Sequence, residues 1–274
     1  MALVKTILLP TDFSSSAHNA IKYALSLWAD EPVKFLLLNA YYLIHSSQEM
    51  LISVEDILRD NSIRMLQKEL TFIDSQDADH PVEIEALSRG GDPIKVIKKV
   101  IIERAVDIVV MGTKGATGLK EKLIGSNTAK MISKTRCPVI IVPDNVTYHQ
   151  PKKIAFAVKM DHQKGLDGLE PLVAISQKYQ SQVLFLNVAS PQGRLSKEQI
   201  WQKLSFNGHL KKIEYTFHMV EDDRVIDGIN DFIKSNKVDL LVVVPGDDNL
   251  VHRLFNPSIS KSLALHSKIP LLVL

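Results

Sequence analysis

The stretch Met111–Thr128, MGTKGATGLKEKLIGSNT, decides how the rest of the chain is read. It follows an apolar run, Val106–Met111, with Asp107 near its start, and it leads into a helical pattern that opens near Ser126. Three of its four glycines are spaced Gly112-x2-Gly115-x9-Gly125, and Ser126 follows directly. A glycine-rich turn after a buried strand, then Gly-Ser at a helix start, is how α/β proteins present bare backbone N–H groups to phosphate. Gly112 and Gly115 are expected to supply positive φ and close approach without a Cβ. Lys114 and Lys120 add positive charge from the same loop. On spacing alone the alternative stays open that these glycines only shape a βα turn.

Upstream, the pattern alternates strand and helix. Lys5–Pro10 is a short apolar run ended by proline, and Thr11-Asp12-Phe13-Ser14 supplies turn and N-cap chemistry. Ala17, Ala20, Ile21, Ala24, Leu25 and Trp28 recur at helical spacing. Val33–Ala40 reads as a second buried strand. A long helix follows over Gln48–Ile73, with Leu51, Val54, Ile57, Leu58, Met65, Leu66 and Leu70 on one stripe. Val82–Leu87 is the third strand, and Gly90-Gly91-Asp92-Pro93 opens a helix with proline in its first turn. A helix over Asn127–Thr135 and a last strand, Pro138–Val142, complete the series. Continuous apolar strands joined by helices mean a parallel sheet covered on both faces, with ligands beyond its carboxyl edge. Thr11–Asp12, Asn39–Ala40 and the Gly112 loop all follow strand ends and converge there.

The pattern then restarts. Lys153–Val158 echoes Lys5–Pro10, and Val183–Val188 echoes Phe35–Ala40. Asp239 follows Asp107, and Pro270 follows Pro138, at one shared offset of 132 positions. An ungapped match of that length argues for an internal duplication. The expected domains are 1–146 and 150–274, each a five-stranded parallel sheet. At the same offset, Gly112 becomes Val244, Gly115 becomes Asp247 and Gly125 becomes Pro257, while Ser126 is kept as Ser258. Asp12 is replaced by Lys159, with Asp161 two residues on. The second copy is therefore expected to keep the fold and lose the site.

Composition bounds the rest. A 274-residue chain with 45% hydrophobic residues and a net charge of +2 is an ordinary globular protein, with no charge argument for nucleic acid. No run reaches the length of a membrane span. A single cysteine, Cys137, excludes an intrachain disulfide, fits a reducing cytoplasm and is expected to be a packed thiol. There is no Gly-x4-Gly-Lys-Ser/Thr, no Gly-x-Gly pair, no Gly-x-Ser-x-Gly and no His-Glu-x-x-His. The nine histidines are scattered, His18 and His45 read as surface residues, and no metal site built from protein ligands is expected.

Three motifs together carry a resemblance: Pro10-Thr11-Asp12-Phe13-Ser14, Met111-Gly112-x2-Gly115-x9-Gly125-Ser126, and Cys137-Pro138-Val139. They resemble the universal stress protein (UspA-like) family, and the chain looks like a tandem member of it. The resemblance implies a Rossmann-like, adenine nucleotide alpha hydrolase-like fold in both halves, with ATP in the first. Pro10, Thr11 and Asp12 would then lie at the adenine and ribose, with Ala40 beside the base. Met111, Gly112, Lys114 and Gly115 would line the ribose and phosphates, and Gly125, Ser126, Asn127 and Thr128 would hold the phosphate tail. Mg²⁺ or Mn²⁺ would accompany the phosphates. Two positions depart from the family's habit: Ala40 is smaller than the usual valine, and Lys114 stands where many members carry histidine. Neither change removes a backbone donor. The resemblance also implies pairing through last strands, here Pro138–Val142 with Pro270–Leu274 as an intrachain pseudo-dimer, and it leaves a homodimer open. The expected function is a cytoplasmic stress-response regulator that binds ATP with little or no hydrolysis, acting on a protein partner the sequence does not identify. A slow ATP hydrolase and an interaction protein with a vestigial site are the alternatives.

Overall fold

A computed structural model of the chain describes residues 5–42, 48–76, 82–113, 125–157, 168–189, 213–244 and 269–274. These fall into two compact units, the first ending at Asp144 and the second beginning at Asn145.

In the first unit, β1 (Lys5–Pro10), β2 (Val33–Tyr41), β3 (Glu83–Gly90), β4 (Ile108–Gly112) and β5 (Val139–Val142) form one parallel sheet in the order β3-β2-β1-β4-β5. Ile7, Leu8, Leu9, Leu36 and Leu37 are completely buried, and each such side chain contributes roughly 1.5–3 kcal/mol relative to exposure. The helices are α1 (Ser15–Leu27), α2 (Gln48–Gln76), α3 (Pro93–Glu103) and α4 (Ser126–Lys134). On one side α1 and α2 meet, where His18 Nδ1 lies 2.8 Å from Glu69 Oε1 and the His18 ring packs on Phe72. On the other, α3 contacts β2 and α4.

Local chemistry accounts for the helix starts. Ser14 Oγ accepts the Ala17 N–H to cap α1, and Asp92 Oδ1 accepts the Lys95 N–H to cap α3 behind Pro93. Gly91, at φ +134°, turns the chain between β3 and α3 while its N–H reaches the Tyr41 carbonyl. That backbone conformation is open to glycine and strained for other residues.

The second unit has β6 (Lys153–Ala157), α5 (Glu170–Tyr179), β7 (Gln182–Ala189), β8 (Glu214–Glu221), α6 (Val225–Asn236), β9 (Leu240–Val243) and β10 (Leu271–Val273). Its strands are again all parallel, in the order β10-β9-β6-β7-β8. The registers repeat position by position. Ile7 pairs with Ile108 as Ile154 pairs with Leu240, and Val109 pairs with Val139 as Leu241 pairs with Leu271. The clamp at the strand starts is also repeated. Asp107 Oδ2 accepts the Thr6 N–H at 2.7 Å, and Asp239 Oδ2 accepts the Lys153 N–H at 2.8 Å. In both places the aspartate N–H returns a bond to the same partner's carbonyl. The fold is two five-stranded parallel α/β sheets in tandem.

Two expectations need correction. Ile57 is 64% exposed, so the apolar stripe of α2 does not run through it; among the described residues of the helix, Leu66, Ile73 and the polar Ser62 are the buried positions. His18 is not a surface residue but is half-buried between α1 and α2, because Glu69 and Phe72 give its polar and apolar parts separate partners.

Candidate functional site

The strand order of the first unit places its switch point between β1 and β4. β1 is followed through α1 by β2 on one side, whereas β4 and β5 lie on the other. At such a switch point the connections leave the sheet toward opposite faces, which is where α/β sheets take their ligands. Pro10, Thr11 and Asp12 leave β1 at this edge, and Met111 and Gly112 end β4 there. β2 extends past the end of β1, so Asn39, Ala40 and Tyr41 pair only with β3 and bring Ala40 to the same edge.

The turn after β1 is tightly specified. The Thr11 N–H donates to the Leu38 carbonyl, Thr11 Oγ1 accepts the Phe13 N–H at 3.0 Å, and Asp12 Oδ1 accepts the Ser14 N–H at 3.1 Å. Phe13 is held at φ +63°, a left-handed conformation that costs a side-chain-bearing residue about 1–2 kcal/mol. Asp12 remains exposed.

The turn into α4 is pinned differently. The Gly125 N–H donates to the Thr113 carbonyl, Thr128 Oγ1 donates to the Gly112 carbonyl at 2.9 Å, and Thr113 Oγ1 reaches Asp144 Oδ1 at 3.3 Å. These bonds tie the start of α4 to the end of β4. Gly125 is the N-cap, and as a glycine it has no side chain to cap the helix. The first intrahelical bond is Ala129 N–H to the Gly125 carbonyl. The N–H groups of Ser126, Asn127 and Thr128 lie ahead of it, at the positive end of the helix dipole. Ser126 is exposed and Asn127 half-buried, so this end is open to an anion. Thr128 is 3% exposed, and its hydroxyl serves Gly112.

Gly112 has a different reason to be glycine than the sequence suggested. Its φ is not in the positive region, where Gly91 and Gly168 are the glycines found among the described residues. A Cβ on Gly112 would sit 2.3 Å from Ser16 Oγ and 2.7 Å from both the carbonyl carbon and oxygen of Ser16. The residue lets α1 close onto β4. Met111, 6% exposed, is packed within the core and faces its neighbour Ile141 in register, so it brings main chain rather than side chain to the edge. Lys114 and Gly115 lie outside the described residues, as do Lys120, His45, Lys159, Asp161, Asp247, Pro257 and Ser258.

Sequence reading overlooked the support beneath the β1 turn. Asn39 Nδ2 donates to the Thr11 carbonyl at 2.8 Å, Ser62 Oγ donates to Asn39 Oδ1 at 2.7 Å, and Ser88 Oγ donates to Ser62 Oγ at 2.7 Å. The signal was there in Asn39, the one amide in an otherwise apolar run. Cys137 matches its expectation as a packed thiol: burial, with the nearby charge of Asp107 adding to it, pushes its pKa up to about 12. Among the described residues, no cluster of three or more His, Cys, Asp or Glu side chains converges, and no helix is long and apolar enough to cross a membrane.

Comparison with known proteins agrees with this architecture. A universal stress protein of Methanocaldococcus jannaschii, MJ0577, is 29% identical over 160 residues, spanning 51% of this chain and 95% of that protein. A universal stress protein of Thermus aquaticus is 28% identical over 145 residues, covering 51% of this chain and 99% of the relative. The crystal structure of a universal stress protein from Archaeoglobus fulgidus superposes with a TM-score of 0.73, covering 98% of this chain and 97% of that one at 18% identity. At that identity the likeness speaks for the fold of the whole chain. The family model for the universal stress protein family matches residues 4–143, which is the first unit almost end to end, and the chain belongs to that family.

Proposed function

We propose that the first unit binds an adenine nucleotide, ATP, at the carboxyl edge of its sheet and that the chain acts as a cytoplasmic stress-response regulator with little or no hydrolysis. The observation that carries this reading is the amino terminus of α4, which has glycine as its N-cap and an exposed Ser126 and follows β4 at the β1–β4 switch point. Gly125 there has no side chain to shield the N–H groups that follow, which suits a polyphosphate. Asp12 is exposed on the facing turn, where an acidic group favours a ribose hydroxyl or the base over a phosphate. Met111, Gly112, Lys114 and Gly115 are assigned to the ribose and phosphates, Ala40 to the base, and Ser126, Asn127 and Thr128 to the phosphate tail. Mg²⁺ or Mn²⁺ enters with the phosphates. The Asp12 carboxylate is occupied in shaping its own turn, which favours holding the nucleotide over activating a water.

The test is titration calorimetry with ATP and Mg²⁺ on the full chain. One site per chain is expected, with binding abolished in Gly125→Pro, which removes the N–H donor to Thr113 and copies the residue at position 257. Two equivalent sites, or none, would defeat the proposal, and turnover far above background that disappears in Asp12→Ala would replace it with an enzyme.

A further inference from the structure

Four residues of the first unit form a hydrogen-bond chain that runs in one direction. Ser88 on β3 donates to Ser62 on α2, Ser62 to Asn39 on β2, and Asn39 to the carbonyl of Thr11 in the β1–α1 turn. Asn39 is 8% and Ser62 3% exposed, so the last two bonds lie away from competing water, where one bond polarises the next. The last acceptor belongs to the peptide that joins Thr11 to Asp12. The same turn carries the Thr11 N–H bond to Leu38 and two local bonds, and its Phe13 sits in an unfavourable conformation. A conformation of that kind persists only where the surroundings over-determine it.

The second unit supplies the control. Asn187 occupies the register position of Asn39 and is likewise 8% exposed. Asn39 pairs across the sheet with Ser88, but Asn187 pairs with Met219. The asparagine is common to both sheets, whereas its paired position on the third strand carries a hydroxyl in the first and a thioether in the second.

We infer that Asn39, braced by Ser62 and Ser88, is the positioning residue of the nucleotide site: it fixes the Thr11–Asp12 peptide, so that packing of α2 sets the geometry that receives the base and ribose. The inference rests on the nucleotide reading above, but its first consequence does not. In the full chain, Asn39→Ala should speed hydrogen exchange at the Phe13 and Ser14 amides at least about tenfold, with little change at Ala129 in α4. In ATP titrations Asn39→Ala should weaken binding by about tenfold or more. The milder Ser88→Ala, at the half-buried end of the chain, should weaken it by about twofold to threefold in the same direction. Unchanged exchange at Phe13 and Ser14, or acceleration spread evenly through the unit, would overturn the positioning role, as would ATP affinity within twofold of wild type in Asn39→Ala. If wild-type protein takes no ATP, the nucleotide reading falls, and with it the role in ligand geometry; the exchange measurement still decides whether Asn39 holds the turn.

Discussion

The two units agree at the amino edge of their sheets and part company at the carboxyl edge. Asp107 and Asp239 clamp their sheets with the same pair of bonds, and the strand registers repeat residue for residue. At the other edge, Gly112 gives way to Val244, and the strand-three hydroxyl Ser88 to Met219. Even the cores are filled differently. Phe156 and Phe185 pack in the second unit at 5.3 Å between ring centroids, at positions where the first unit has Leu9 and Leu37. Core positions tolerate exchange of apolar shape, and the clamp does not vary because it serves the fold itself. The carboxyl edge mixes two demands: Gly112 answers to the close approach of Ser16, whereas the Ser88 hydroxyl answers to the bond it gives Ser62 beneath the β1 turn.

The strongest way to break this comparison is to move Val244 into the first unit. Gly112→Val drives a side chain into the Ser16 backbone and should destabilise the first unit by about 3 kcal/mol, read by denaturation with the buried Trp28 as reporter. Wild-type stability in this variant would mean that Gly112 is not there for packing. The next test should give matched losses. Asp107→Ala removes the acceptor of the Thr6 N–H and Asp239→Ala that of the Lys153 N–H, both bonds being exposed, and each should cost its own unit about 1 kcal/mol. A large loss in one unit and none in the other would end the claim that the clamps are equivalent.

The smallest effect is a pH dependence confined to the first unit. The Lys34 ammonium, 2.9 Å away and hydrogen-bonded, holds the Glu85 carboxyl below its usual 4.5, with Arg104 helping. The corresponding positions in the second unit are Gln182, Thr216 and Asn236. Because the folded pKa lies below the unfolded one, this stabilisation is fully present above about pH 4.5 and is lost as the pH falls through the folded value. Lys34 and Glu85 are both about one-third exposed, so salt screens them. Acid titration of Lys34→Gln beside wild type should therefore show a slightly shallower loss of first-unit stability below that pH, and an identical slope would remove Glu85 from the account.

Much of this architecture was legible in the residues. Apolar runs marked the strand positions because a strand buried on both faces has no polar side to dilute them. The repeat was legible because Asp107 and Pro138 recur at one offset. What escaped was whatever depends on a partner far along the chain. Ile57 fits the helical stripe of α2 and still faces water, since the sheet beneath takes Ser62 through its bond to Asn39. His18 looked solvated until Glu69, 51 positions away, came beside it. Gly112 was read as a ligand-facing glycine, and only Ser16 overhead reveals the steric demand. Of the site, the β1 turn, Ala40, Met111–Gly112 and the α4 start do gather at one edge, as their places after strand ends required.

The Asp107 clamp also has a consequence for biosynthesis. It joins residues 101 positions apart, and its twin joins residues 86 apart. β1 therefore waits, bonded on one side only to β2, until the chain has been made past Asp107 and β4 can take its place. Until then Ile7, Leu8 and Leu9 line an open sheet edge, the kind of surface on which nascent chains pair with one another. Any fragment of the first unit that stops short of β4 should be lost to aggregation, because the strand meant for the centre of the sheet has become its border.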